Sequence, residues 1–128
     1  MVGAHALFDT NILIDFTHGI PGAQKELLRY SSRAISIITW IEILAGVPPN
    51  QEAETRGFLT TFRVISITSE ISERAITIRR ESRIKLPDAI ILATAEIEDF
   101  LLITRNAKDF KESNPRIRVP YKISPRFQ

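Results

Sequence analysis

Short apolar runs in this chain alternate with longer stretches in which apolar residues recur every three or four positions. That alternation predicts strands separated by helices. Residues 4–8 end in Ala6-Leu7-Phe8 and read as a first strand, with a short helix over 11–16. Gly19-Ile20-Pro21-Gly22 reads as a turn, and Pro21 leads into a helix through about residue 31. Residues 34–37 form a short strand feeding a helix that ends at Gly46, a residue suited to a helix C-terminus. Pro48-Pro49-Asn50 is a loop, residues 51–62 read as helical, and residues 64–67 are β-branched and strand-like. Ser69 begins a helix with Ile71, Ala75 and Ile78 on one face, Pro87 starts another through about residue 98, and residues 101–104 form a strand. The C-terminal segment contains Pro115, Pro120 and Pro125 and holds at most one short strand, near 117–119. Strands alternating with helices predict a three-layer α/β/α fold around a mainly parallel central sheet. No repeat or linker interrupts the pattern, and 128 residues suit a single domain over residues 1–128.

Composition narrows the class. With 44% hydrophobic and 25% charged residues the chain is globular and able to bury a core. A net charge of +2 makes the surface mildly basic, which permits a nucleic-acid partner without requiring one. The absence of cysteine excludes disulfides and thiolate metal sites and fits a reducing cytoplasm. No apolar run is long enough to span a bilayer, and residues 1–5 lack the features of a signal peptide. A cytoplasmic protein with no membrane partner is expected.

The candidate chemistry lies in four acids. Asp9 ends the first apolar run, where open α/β sheets place their functional groups. Glu42 follows Ile37-Ile38, Asp88 follows Leu86-Pro87, and Asp109 follows the run Leu101-Leu102-Ile103-Thr104. Each acid also has a purely structural reading. Asp9 caps the next helix, Thr39-Trp40-Ile41-Glu42 matches a capping box, Asp88 favours the positive end of a helix, and Asn106-Ala107-Lys108-Asp109 forms another cap. The joint pattern is harder to explain by caps alone. Parallel strands would bring all four acids to one edge of the sheet, with Glu42 near the core boundary. Carboxylates brought together repel one another and either raise a pKa or recruit a cation. An oxygen-only cluster suits Mg²⁺ or Mn²⁺ and not Zn²⁺, and His5 and His18 read as bystanders.

These residues resemble a known family. The segment Leu7-Phe8-Asp9-Thr10-Asn11-Ile12-Leu13-Ile14-Asp15 is similar to the opening motif of PIN-domain nucleases. Ser36 through Gly46 resembles their second acidic motif, Lys85 through Ala95 the third, and Leu102 through Phe110 the fourth. The resemblance runs from about Leu7 to Phe110 with the motifs in order, and the compact size is similar to VapC-type toxins of toxin–antitoxin pairs. It implies a PIN-like fold and an Mg²⁺- or Mn²⁺-dependent ribonuclease. It also implies metal-binding carboxylates at Asp9, Glu42 and Asp88, with Thr104 supporting the site from a strand end. At the fourth position many relatives carry an acid where this chain has Asn106. Here Asp109 supplies the charge, Asn106 offers a neutral oxygen, and both stay candidates to complete the site. Asn11 is a further polar group at the site mouth. The resemblance adds an RNA substrate, a cognate antitoxin and a homodimer.

Phosphate recognition needs cations near the acids. Arg79, Arg80, Arg83 and Lys85 precede Asp88, and Arg105, Lys108 and Lys111 surround Asp109. Lys85 and Arg105, adjacent to the motifs, are the expected substrate-binding residues. Two other functions compete. A haloacid-dehalogenase-type phosphatase would use Asp9 as a nucleophile with a second Asp two residues on, where this chain has Asn11. A non-catalytic binding module would hold an antitoxin or another protein without cleaving anything.

Overall fold

The structure, a computed structural model, describes residues 5–123. Ala4 and Pro125, named above, lie outside that range. The described residues form five strands and six α-helices: β1 (His5–Phe8), α1 (Thr10–Thr17), α2 (Pro21–Leu28), β2 (Ser32–Ser36), α3 (Ile37–Gly46), α4 (Glu52–Leu59), β3 (Arg63–Ile65), α5 (Ser69–Ser82), α6 (Leu86–Glu98), β4 (Leu101–Ile103) and β5 (Ile117–Arg118). The strands make one sheet in the order β3-β2-β1-β4-β5, and every pairing is parallel. The expected three-layer α/β/α architecture is therefore present. Among the described residues no helix is long and apolar enough to cross a membrane.

Burial on both faces explains why β1 reads as an unbroken apolar run. Leu7 points to one face with Ala34 and Leu102, where Ile71, Ala75 and Ile78 of α5 and Ala89, Ile91 and Ala95 of α6 cover it. Ala6 and Phe8 point to the other face with Ile35 and Ile103, under Ile12, Leu13, Ala23, Leu27 and Leu59 of α1, α2 and α4. Phe8 is fully buried and meets Tyr30 and Phe62 edge-on, each with ring centroids 5.9 Å apart.

The strand order fixes where a ligand can go. The chain builds outward from β1 through β2 to β3, then crosses back to lay β4 on the other side of β1. The order reverses between β1 and β4, and the crevice beyond the carboxyl ends of strands at such a point is the usual ligand site of open α/β sheets. Asp9 and Thr104 sit just past these two strand ends.

Several local expectations change. Ile37-Ile38 begin α3 and are not strand residues, because Ser36 caps the helix by accepting a hydrogen bond from the Ile38 amide at 3.0 Å. No capping box forms at Thr39–Glu42, since Thr39 is already inside the helix and fully buried. Glu42 lies a turn further on and is exposed, not at the core boundary. Pro87 lies in the first turn of α6 as expected, so the residues before Asp88 open a helix that follows α5 directly. A strand immediately before each acid thus holds for Asp9 but not for Glu42 or Asp88.

The segment after β4 is strapped to the α1–α2 side by two buried carboxylates. Arg105 donates to Asp15 from Nε at 2.7 Å and from its terminal nitrogen at 3.2 Å, and the Tyr121 hydroxyl donates to the same carboxylate at 2.8 Å. Arg118 donates to Glu26 at 2.6 and 3.1 Å, with the Tyr30 hydroxyl at 2.8 Å. Both forks are charge-assisted and bidentate. The Tyr121 ring lies over Gly22, where a Cβ would come within 2.7 Å of the ring's first carbon. Gly22→Ala gains helix propensity but must push a tethered ring aside. A net loss of about 1–2 kcal/mol in stability is expected by urea unfolding, and an unchanged or raised midpoint would contradict this packing.

Candidate active site

Asp9 sits where β1 ends and α1 begins, at the N-cap, with only 4% of its surface exposed. One carboxylate oxygen accepts from the Thr10 amide at 2.8 Å. The other accepts from the Thr104 hydroxyl at 2.7 Å and from the Asn11 amide nitrogen at 3.3 Å. The structural and functional readings of this residue thus coexist in one carboxylate. Burial pushes its pKa from 3.8 up to about 6, against the hydrogen bonds from Thr104 and Thr10, and the negative charges of Asp88 and Glu42 add to the rise.

The charges of Asp88 and Glu42 act on Asp9, and those of Asp109 and Glu42 act on Asp88. Asp88, in the first turn of α6, is half-buried, and its pKa is raised by burial, then by the charges of Asp109 and Glu42, with Lys85 opposing. Asp109 is held by Asn106, whose side-chain nitrogen donates to its carboxylate at 3.0 Å while its own amide donates back to the Asn106 oxygen at 3.2 Å. This reciprocal pair has the form of a helix cap, yet only a turn follows. Asn106 therefore orients Asp109. Asn11 uses both ends of its amide internally, since its oxygen accepts from the Arg105 amide at 3.2 Å. Thr104 is fully buried and accepts from the Asn106 amide at 3.0 Å while donating to Asp9. Thr104, Asn106 and Asn11 together lock the β4 loop to the start of α1.

The two cations singled out in the sequence fare differently. Lys85 is exposed at the N-cap of α6, forms no ion pair with the described residues, and its charge acts on Asp88. The Arg105 guanidinium is committed to Asp15, and that hydrogen bond raises its pKa above the usual arginine value.

One residue escaped the sequence reading. Thr10, between the two highlighted residues Asp9 and Asn11, donates its hydroxyl to Glu42 at 2.6 Å and lies 3.0 Å from the buried Thr39 hydroxyl. Glu42 is otherwise free to sample rotamers on an exposed helix face. A polar side chain in the first turn of a helix is a faint signal, and nothing local ties it to a residue on another helix. Thr10→Val is expected to lower any carboxylate-dependent activity roughly 10–100-fold, the range for partners that orient a ligand. Thr10→Ser should restore it, and equal rates in all three proteins would remove Thr10 from the site.

Three carboxylates among the described residues are almost fully buried: Glu26 at 3%, and Asp9 and Asp15 at 4%. Asp15 and Glu26 each receive an arginine. Asp9 receives only neutral donors, and the nearest charges acting on it are negative. A buried carboxylate without a counter-charge is costly. The donor set is all oxygen, and it would accommodate a hard divalent cation. No three acids or histidines among the described residues already enclose such an ion.

The parallel sheet, with Asp9 at its switch point, makes this an α/β/α domain with a buried acid at the usual ligand crevice, and comparison with known proteins gives the family. The chain belongs to the PIN-domain family, whose sequence profile matches residues 6–113. It is 30% identical to Ribonuclease VapC10 of Mycobacterium tuberculosis, covering 89% of this chain and 94% of that protein. Ribonuclease VapC1 of Methanocaldococcus jannaschii is also 30% identical, over 82% of this chain and 78% of its own length. Among solved structures, a chain of a toxin–antitoxin complex from Klebsiella pneumoniae superposes with a TM-score of 0.87 at 48% identity, covering 92% of this chain and 99% of that one.

Proposed function

We propose that this protein is the ribonuclease toxin of a toxin–antitoxin pair, a cytoplasmic endoribonuclease that hydrolyses RNA phosphodiester bonds. Asp9, Glu42, Asp88 and Asp109 would hold Mg²⁺ or Mn²⁺. The observation that carries this reading is the buried Asp9 carboxylate, which alone of the three buried acids has no arginine. Family membership and the 48% identity to a chain of a toxin–antitoxin complex support it independently.

The ion, when bound, would polarise a phosphate oxygen and acidify a water. The protein's own contribution is placement. Thr104 and the Thr10 amide fix the two oxygens of Asp9, Thr10 fixes Glu42, and Asn106 fixes Asp109. Lys85 would draw a substrate phosphate towards Asp88. Arg105 would act through its loop, because its guanidinium is bound by Asp15. Water and phosphate oxygens would complete the coordination, as at Mg²⁺ sites generally. A cognate antitoxin and a second copy of the chain are the proposed protein partners.

The test is incubation of the purified protein with a mixed RNA pool in Mg²⁺, Mn²⁺ or EDTA. Metal-dependent cleavage is expected. A protein that cleaves nothing with either ion, yet binds an antitoxin, would be the binding module instead. Hydrolysis of phosphomonoesters would revive the phosphatase, which the Asn at position 11 disfavours.

A further inference from the structure

An open cavity of about 240 Å³ adjoins the acid cluster and shares Glu42 with it. Ile14, Thr17 and His18 form one wall, at the C-terminal end of α1, and Ile43 of α3 and Gln51 face them. The volume is below the roughly 300–1,000 Å³ of pockets that engulf a whole drug-sized ligand, so it admits one flat ring system.

Charge is distributed unevenly about the acids. No lysine or arginine lines the cavity. Arg83, Lys85 and Lys108 are exposed and form no ion pair with the described residues, and the Lys85 charge acts on Asp88. A phosphate finds a cation beside Asp88 and none in the cavity lining. What the cavity offers is different. Ile14, 41% exposed, leaves an apolar surface without a partner. The His18 and Gln51 side chains make no hydrogen bond with the described residues, so their polar edges are available. Aliphatic faces with free amide and imidazole edges match an unstacked nucleobase, whose faces are apolar and whose rim carries donors and acceptors.

We propose that this cavity receives the base next to the scissile phosphate and sets the base preference of the cut. The proposal rests on the ribonuclease reading, because a base lies next to a scissile phosphodiester only in a polynucleotide.

Two variants test it. Gly46 lines the cavity, and a Cβ built there meets nothing within 4 Å, so Gly46→Leu starts a side chain from open space and reduces the cavity. Gln51→Ala removes a free amide from an exposed position and carries the test if the first variant fails to fold. Sequencing the ends produced from a random RNA pool should show that the wild type prefers one base at a position flanking the cut by roughly tenfold or more. Both variants should flatten that preference while binding Mn²⁺ with wild-type affinity. An unchanged preference, or a wild type with none, overturns the proposal. Loss of a protein partner in the variants with base preference intact would assign the cavity to that partner and also overturn it. If the wild type cleaves no RNA, nuclear magnetic resonance titration with AMP, GMP, CMP and UMP decides separately. Shifts at His18 and Gln51 with one nucleotide above the others keep the base site while the nuclease reading fails, and no shifts end both.

Discussion

Asp9→Asn is expected to lower RNA cleavage by on the order of 10³-fold or more while the protein stays folded. Asn keeps the size of Asp and caps a helix about as well. Its oxygen can still accept from the Thr10 amide. What it removes is the one buried carboxylate that receives no cation from the described residues. Two effects on stability oppose each other. Neutralising the group ends the cost of burying its charge, and replacing an oxygen by a nitrogen weakens the bonds from Thr104 and Asn11. Each is worth a few kcal/mol at most, so the unfolding midpoint should move by only a few degrees. Cleavage rates and thermal unfolding measured on the same preparation separate loss of function from loss of fold. A variant that cleaves RNA at the wild-type rate would end the metal-nuclease reading.

A second expected result concerns metal-free stability and pH. The folded-state pKa of Asp9 is about 6 against an ordinary 3.8, so between those values the folded protein keeps a proton that the unfolded chain has lost. For this group stability is therefore greatest below about pH 4 and falls as pH rises through 6, by roughly 3 kcal/mol in all. Asp88 adds to the loss in the same direction. Other acids titrate too, so the informative quantity is the difference between wild type and Asp9→Asn, which should swing by about 2.4 kcal/mol in favour of the variant between pH 4 and pH 7. Denaturant unfolding in EDTA at several pH values measures it. Adding Mn²⁺ at neutral pH should raise the midpoint of the wild type far more than that of the variant, because a cation that binds only the folded state stabilises it. Parallel pH profiles for the two proteins would show that burial of Asp9 carries no such cost.

Local signals in the chain were enough for the architecture. An unbroken apolar run at Ala6-Leu7-Phe8, helical spacing at Ile71, Ala75 and Ile78, and proline at the start of α2 and α6 each report on a handful of neighbouring residues, and each element formed where its signal lay. The local reading failed where two signals overlap. Ile37-Ile38 is apolar and β-branched, yet Ser36 supplies a cap, and the helix wins because the cap satisfies an amide that would otherwise be left without a partner.

The amino-acid sequence by itself determined the alternation of strands and helices, the buried stretches and the position of Asp9 at a strand end. Tertiary structure alone decided which side chains meet. Arg105 reaches Asp15 across 90 residues and Arg118 reaches Glu26 across 92, while Asp9 gets a threonine 95 residues away instead of a cation. Glu42 gains its hydroxyl partner from another helix, 32 residues distant. The physical reason is one of range. Propensity, capping and periodicity act within a turn or two of the chain, whereas a charge finds its partner only after the sheet has chosen its strand order. Placing β4 beside β1 brings Thr104 to Asp9 and leaves that carboxylate buried with no cation bonded to it among the described residues.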